Sequence, residues 1–361
     1  MGRDVPSLFF FIGISLFFSQ FCLAMSKNVT IKDIAAEAGV SIALVSFVMN
    51  NRVEADGKMK YRVNDATRER VIEVAKRLNY MPNSAARILR KGKSKVLGLI
   101  VSDISNVFYG EIARNLETLA FEQGYTMLFA SSDESPEKFR QIVLSFLEKG
   151  VEGFIVVPCT GTLKVLQQVL NVGVPCVVLD RKNERFPAPM IVLDNVGAMR
   201  SAVEILLKKG LKKIEMISYT IRATSITGRE EGFISRMREQ GISDEEIRIH
   251  RLPFDDIDSS TDLVIPSIVG RGVEGIVFAT NALAIASIRK LSTMGVRIQK
   301  DIYLVGFDNS DVYDLFYPPI PHVGQPIDKI CSLAFNYLQK LIDKEIEQTT
   351  KIVYISGEVF E

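Results

Sequence analysis

The chain contains no tryptophan, only two histidines and only four cysteines among its 361 residues. His250 and His322 lie far apart without metal-ligand spacing, so no zinc site is expected. Cys22, Cys159, Cys176 and Cys331 form no CxxC pair, and the last three sit in or beside apolar runs, where a free thiol behaves as a small hydrophobe. That usage fits a reducing compartment. The phosphate-loop pattern GxxxxGKS/T, the GxSxG elbow and HExxH are all missing, and no other catalytic constellation takes their place. The sequence therefore reads as neither an enzyme nor a carrier of a metal or cofactor. Without tryptophan, stacking against a ligand must fall to Phe or Tyr.

Charge of one sign is also lacking overall, since the formal net charge is +1. The average hides an asymmetry. Met25 to Lys95 carries 15 Lys and Arg against 7 Asp and Glu, a net of +8. From Val96 onward the balance is 28 against 35, a net of −7. A basic head on an acidic body is the layout of a polyanion-binding module joined to something that need not touch the polyanion.

Residues 28–52 read "NVTIKDIAAEAGVSIALVSFVMNNR". Thr30 and Asp33 form a capping box, and Ile31, Ile34, Ala35 and Ala38 then share one helical face. Gly39 tolerates the left-handed conformation a tight turn needs, and Ser41 caps a second helix running to about Asn50. Two short helices joined in this way form the helix-turn-helix plan, whose second helix enters the DNA major groove. A third helix begins at Asn64, presents Val71, Val74, Ala75 and Leu78 as an apolar stripe, and is expected to stop at Pro82. The basic "SAARILRKGKSK" follows as a linker.

Beyond Lys95, strand-like runs alternate with helical stretches: "VLGLIVS", "YTMLFAS", "VEGFIVVP", "VPCVVLD", "KKIEMIS", "VEGIVFAT" and "IYLVGFD". This rhythm predicts βαβ units and parallel sheets buried on both faces. "KGVEGFIVVPCT" and "RGVEGIVFATN" are near-duplicates, as two similar lobes with an equivalent strand would give; chance likeness between buried strands is the alternative. Two doubly wound lobes bring their strand ends to a shared crevice, where ligands bind.

Three stretches together, "VTIKDIAAEAGVS", "TRERVIEVAKRLNYMPNSAARILRKGKS" and "VLGLIVSDISNVFYGEIARNLE", resemble in order the signatures of the lac-repressor family of bacterial transcription regulators. The likeness covers nearly the whole chain from Met25. It implies an α/β protein with an all-α helix-turn-helix head (25–82), a hinge helix or linker (83–95) and a two-lobed body like periplasmic binding proteins (96–361). It implies a homodimer on a near-palindromic double-stranded DNA operator, and a small polar effector, a sugar or sugar derivative, between the lobes. No tetramer-forming tail is expected after "KIVYIS".

Carried over by position, Thr30, Ser41, Ser46, Asn50, Asn64, Thr67, Tyr80 and Asn83 become candidates for phosphate or sugar contacts, which fix register without reading sequence. Ile42, Ala43 and Phe47, with Leu44 beside them, become base-reading positions. Ala86 and Leu89 belong to the hinge, where the leucine would wedge into the minor groove. The sequence departs from the family at Phe47, where an arginine is common. An apolar side chain can meet a thymine methyl but cannot hydrogen-bond guanine. A second departure is the long connection "NRVEADGKMKYRVN", whose Lys58, Lys60 and Arg62 suit either phosphate contacts or a solvated loop. For the effector, the resemblance implies Phe108, Tyr109, Arg229, Asn281, Asp308 and Gln325. Ala282 stands where the family often has aspartate.

The hydrophobic stretch Leu8–Ala24 reads in isolation as a signal-peptide core or an anchor. An exported solute-binding protein of the same body fold is the rival function. Such a binder has no use for a helix-turn-helix head, so the expectation is a cytoplasmic regulator whose working chain begins at Met25, with membrane anchoring as the lesser alternative.

Overall fold

The computed structural model describes residues 29–49, 63–81 and 93–361. The chain separates into two units, divided between Gly92 and Lys93. The hydrophobic stretch before residue 25, the insert at 50–62 and the linker at 82–92 lie outside the described residues, and with them Asn50, Asn83, Ala86 and Leu89. No helix among the described residues is long and apolar enough to cross a membrane.

The first unit holds α1 (Ile31–Ala38), α2 (Ile42–Met49) and α3 (Asp65–Arg77). The expected capping box forms: the Asp33 carboxylate accepts from both the amide and the hydroxyl of Thr30, each at 2.7 Å. Gly39 ends α1 at φ 63°, and Val40 N–H reaches back to the Ala35 carbonyl. Ser41 Oγ accepts from Leu44 N–H at 3.2 Å and Asn64 Oδ1 from Ala66 N–H at 2.9 Å, which caps α2 and α3. Ile34, Val45 and Val71, one from each helix, meet fully buried at the centre. The stop assigned to Pro82 is corrected. α3 ends at Arg77, because Asn79 takes the left-handed conformation (φ 50°) and Tyr80 N–H returns to the Ala75 carbonyl.

The second unit is two α/β lobes. The first begins with β1 (Val96–Val101), α4 (Val107–Glu122), β2 (Thr126–Ser131), α5 (Pro136–Glu148), β3 (Gly153–Val156), α6 (Leu163–Asn171), β4 (Cys176–Leu179) and β5 (Pro189–Leu193). The second lobe holds α7 (Asn195–Lys208), β6 (Ile214–Tyr219), α8 (Thr224–Glu239), β7 (Ile249–Leu252), α9 (Ile257–Gly270), β8 (Gly275–Phe278), α10 (Asn281–Thr293), β9 (Tyr303–Phe307) and β10 (His322–Gly324). α11 (Ile327–Ile342) and β11 (Lys351–Ile355) return to the first lobe, and β12 (Glu358–Phe360) closes the second.

The first sheet runs β11-β5-β4-β3-β1-β2, wholly parallel, and the second runs β12-β10-β9-β8-β6-β7, parallel except for β12. Helices α4 and α11 cover one face of the first sheet, α5 and α6 the other. Its four inner strands, β5, β4, β3 and β1, are therefore buried on both sides, which explains their continuous apolar runs. The chain crosses between lobes after β5, after β10 and between β11 and β12.

The duplicated "VEG" has a structural cause. β3 and β8 occupy the same place in their sheets. Glu152 accepts from Lys95 N–H at 2.8 Å, and Glu274 from Lys212 and Lys213 N–H at 2.7 and 2.9 Å. Each carboxylate thus ties its strand to the start of a neighbour. The glycine after it clears room for a covering helix: a Cβ on Gly153 would stand 2.8 Å from Leu338, and one on Gly275 2.8 Å from Leu206.

Candidate functional site

In parallel sheets the strands carry all their C-terminal ends to one edge. Here those ends line a crevice between the lobes of the body: Ser102 follows β1, Asp180 follows β4, Tyr219 ends β6, and Thr280 and Asp308 follow β8 and β9. The enclosed cavity is small, about 40 Å³.

Two aspartates organise it. Asp180 and Asp308 are buried, and each leaves its strand in the left-handed conformation (φ 64° and 62°). Asp308 Oδ1 accepts from Gln325 Nε2 at 2.7 Å and lies 3.8 Å from Arg229 Nη1, while Oδ2 accepts from Asn281 N–H at 3.3 Å. Burial pushes its carboxyl above the ordinary aspartate range, against the pull of the Arg229 guanidinium. Asp180 Oδ2 accepts from Tyr109 Oη within its own lobe and from Ser225 Oγ of the other, both at 3.2 Å. A second contact spans the lobes where Lys182 N–H donates to Thr224 Oγ1 at 3.0 Å.

Arg229 is 3% exposed, so it is no surface residue. Its Nε donates to Asn195 Oδ1 at 2.8 Å and its Nη1 to the Ala279 carbonyl at 2.5 Å, and its plane lies 3.9 Å over the Phe307 ring. The "TGREEGF" motif provides that placement. Gly228 and Gly232 let α8 lie directly on the start of α7, where a Cβ on Gly232 would come within 2.4 Å of the Val196 carbonyl oxygen. In the first lobe Arg181 is bidentate to Glu134, with Nη1 also donating to the Pro158 carbonyl at 3.0 Å.

Aromatic walls complete the cleft. Phe108 and Tyr109 rings lie 5.0 Å apart on one side, Tyr219 and Phe254 5.6 Å apart on the other. Burial drives the Tyr109 hydroxyl well above the usual phenol range, with Asp180 adding to the effect, and it lifts Tyr219 to about 12. Both tyrosines are thus hydroxyl donors at any physiological pH. Flat apolar walls with fixed carboxylates, guanidinia, amides and hydroxyls suit a polyhydroxylated ring.

Five of the six carried-over cleft residues, Phe108, Tyr109, Arg229, Asp308 and Gln325, line this cavity. Asn281 does not. It stands behind Asp308, bonded to it through the backbone, and its buried Oδ1 has no partner. Asp180, Arg181, Tyr219, Ser225, Phe254 and Thr280 were missed. The signal for the first two was present: "VVLDRK" ends its strand as "VGFDNS" does, with an aspartate just past the last apolar residue.

In the head, Ile42 is 48% exposed and Ala43 is exposed, while Leu44, Ser46 and Phe47 are half-buried. The start of α2 therefore offers an apolar surface with Ser41 at its head. Ser41, Asn64 and Thr30 serve as local caps; Thr67 and Tyr80 are half-buried, the latter packed on the core.

Known proteins share this organisation. Residues 30–83 match the family model of bacterial regulatory proteins of the lacI family, and residues 203–361 match a periplasmic binding protein-like domain. A ribose operon repressor of Halalkalibacterium halodurans is 31% identical over 317 residues, covering 88% of this chain and 91% of that protein. A crystal structure of the lac repressor dimer bound to operator and the anti-inducer ONPF superposes with a TM-score of 0.77 at 21% identity, over 93% of this chain and 98% of that one. A periplasmic binding protein/LacI transcriptional regulator from Alkaliphilus metalliredigens, complexed with D-xylulofuranose, superposes with a TM-score of 0.64 at 25% identity, over 74% of this chain and 97% of that one.

Proposed function

We propose how this chain works from the fact that it belongs to the lacI family of bacterial regulatory proteins: it is a DNA-binding transcription regulator, not an enzyme, and its body is the sensor of a small ligand. The head (25–82) binds a near-palindromic operator as one of a pair, and the body (96–361) both pairs the subunits and holds the effector. Such a protein works where its DNA is, in the cytoplasm.

The observation that carries the sensor reading is the pairing of Asp180 with Arg181 and of Asp308 with Arg229 at equivalent strand ends of two lobes. Each pair offers one acceptor and one donor at fixed spacing, which suits two neighbouring hydroxyls of a sugar. Phe108, Tyr109 and Gln325 complete the lining. The similar ribose operon repressor and the similar regulator complexed with D-xylulofuranose agree with a sugar-like effector here. A ligand shifts the equilibrium only by its difference in affinity for two arrangements. The Ser225–Asp180 and Lys182–Thr224 contacts exist only with the lobes together, so a ligand bound to both lobes favours that state. Closure then alters the spacing of the paired heads, and with it the hinge around Leu89.

On the DNA, Ser41, Ser46, Asn50, Asn64, Thr67, Tyr80 and Asn83 hold the backbone, with Thr30 ordering the first helix. Ile42, Ala43, Leu44 and Phe47 meet base edges, and Ala86 and Leu89 act in the minor groove. The rival reading, an exported solute-binding protein, leaves α1 to α3 without a use. Pull-down of fragmented genomic DNA by the full chain, followed by sequencing, tests the function. Enrichment of a short two-fold-related sequence supports it; uniform recovery of fragments overturns it.

A further inference from the structure

A second cavity borders the effector chamber. It measures about 230 Å³ against about 40 Å³ for the chamber itself, and Arg181 lines both. Its lining includes three cations, Arg181, Lys182 and Arg222, and no carboxylate. Among the described residues neither Lys182 nor Arg222 forms an ion pair; the Lys182 ammonium bonds only the neutral Tyr354 hydroxyl, at 3.1 Å.

The lining also includes the start of α6, nine residues long. Thr162 stands at the N-cap with helical dihedrals, and its hydroxyl donates to the Cys159 carbonyl at 2.7 Å instead of capping the amides. The first-turn N–H groups are therefore left without a side-chain acceptor, at the end of the helix where the dipole favours negative charge. A separate observation points the same way. Arg181 is 7% exposed, Glu134 and Pro158 hold its Nη atoms, and its buried Nε has no hydrogen-bond partner. That Nε faces Asp180 Oδ2 at 3.6 Å, too far for a hydrogen bond, so one N–H of a buried guanidinium that lines both cavities makes none.

We propose that the effector is a phosphorylated sugar, with its ring in the chamber between Asp180 and Asp308 and its phosphate in the outer cavity. Lys182, Arg222, the Arg181 Nε–H and the α6 amides bind that phosphate. This rests on the sugar reading of the chamber. A phosphate ester brings nearly two negative charges and three acceptor oxygens, the complement of two cations without an ion pair, Lys182 and Arg222, beside an uncapped helix start. An uncharged sugar leaves that chemistry unused.

The test uses the full chain, with binding followed by calorimetry and thermal unfolding. The probes are inorganic phosphate alone, D-ribose and D-glucose, and the terminal phosphate ester of each sugar. Inorganic phosphate is expected to raise the melting temperature of the wild type, and at least one ester to bind about tenfold or more tighter than its parent sugar. Lys182→Gln and Arg222→Gln together keep the side-chain stems and are expected to abolish both effects, with an unliganded melting temperature near that of the wild type. If that pair perturbs folding, Arg222→Gln alone, at an exposed position, is expected to remove most of the preference. Parent sugars binding as tightly as their esters would overturn the phosphate site and leave the sugar reading standing. An ester preference that survives the double substitution also overturns it. Binding of neither sugars nor esters would overturn the sugar reading and this proposal with it.

Discussion

Asp180 and Asp308 are counterparts: each follows the third strand of its six-stranded sheet, each has φ near +60°, and each stands beside an arginine. The left-handed conformation turns the chain away from the strand and leaves the carboxylate at the crevice. Asp and Asn tolerate this backbone where most residues do not. Asp308→Ala is therefore expected to cost about 1 kcal/mol more than Asp308→Asn, through strain alone. Denaturant unfolding of the two variants checks this; equal midpoints would show that the turn relaxes freely.

Arg229→Ala is expected to abolish the effector-dependent change in operator affinity while the head still binds DNA. Loss of the cation also leaves Asp308 buried without its partner, which lowers body stability by about 3 kcal/mol. Fluorescence anisotropy with labelled operator, with and without effector, separates the two effects. A fully responsive variant would remove Arg229 from the site.

Gly232→Ala and Gly153→Ala make a contrasting pair. The first drives a methyl against the Val196 carbonyl oxygen, so α8 must lift from α7, at about 3 kcal/mol. The second meets only the terminal methyl of Leu338, which can rotate, at about 1 kcal/mol. Gly232→Ala should also weaken effector binding, because α8 carries Arg229. Thermal unfolding and effector titration of both variants test the ranking.

Glu215 on β6 accepts from His250 Nε2 and Arg271 Nη2, both at 2.6 Å. Burial opposes its ionisation, yet these hydrogen bonds and the Arg271 charge hold its carboxyl below the ordinary glutamate range. A lowered native pKa gives stability that is present above the unfolded-state value and is lost as pH falls through the native one. Arg271→Ala is thus expected to cost about 2 kcal/mol at neutral pH, a gap that closes as pH drops below about 4. Melting temperatures of both proteins across that range decide it; a pH-independent gap would mean the loss is one of packing.

The head predicts a particular kind of operator. With Ile42, Ala43 and Phe47 in place of hydrogen-bonding side chains, discrimination rests on thymine methyls and on DNA shape. Replacing thymine by uracil in the major-groove half-site should weaken binding by up to about 0.8 kcal/mol per methyl removed. An operator insensitive to that exchange would place α2 elsewhere.

Much of this was legible in the sequence because the signals are local or are forced by burial. The caps at Thr30, Ser41 and Asn64 are set by a few neighbouring residues, and six inner strands announced themselves as apolar runs because both faces of each sheet are covered. β7, "IHRL", escaped because His250 and Arg251 interrupt its apolar run, and β10 because it is three residues long. In the first lobe Asp180 and Arg181 escaped for another reason. Asp180 and Arg181 acquire their role only when Ser225, 45 residues later, is brought across from the other lobe, and no spacing rule encodes that contact. The stop of α3 was misplaced because proline is the louder signal, while Asn79 does the work through its backbone conformation.

The three crossings between lobes have a consequence for synthesis. The first lobe draws its covering helix α11 and its edge strand β11 from the far end of the chain, after the whole second lobe has been made. Chains emerge N-terminus first, and domains fold as units when complete. The three-helix head is complete at Tyr80, whereas the sheet that must sense the ligand still lacks a side until Ile355. On the ribosome, the part that recognises DNA is ready long before the part that answers to the ligand.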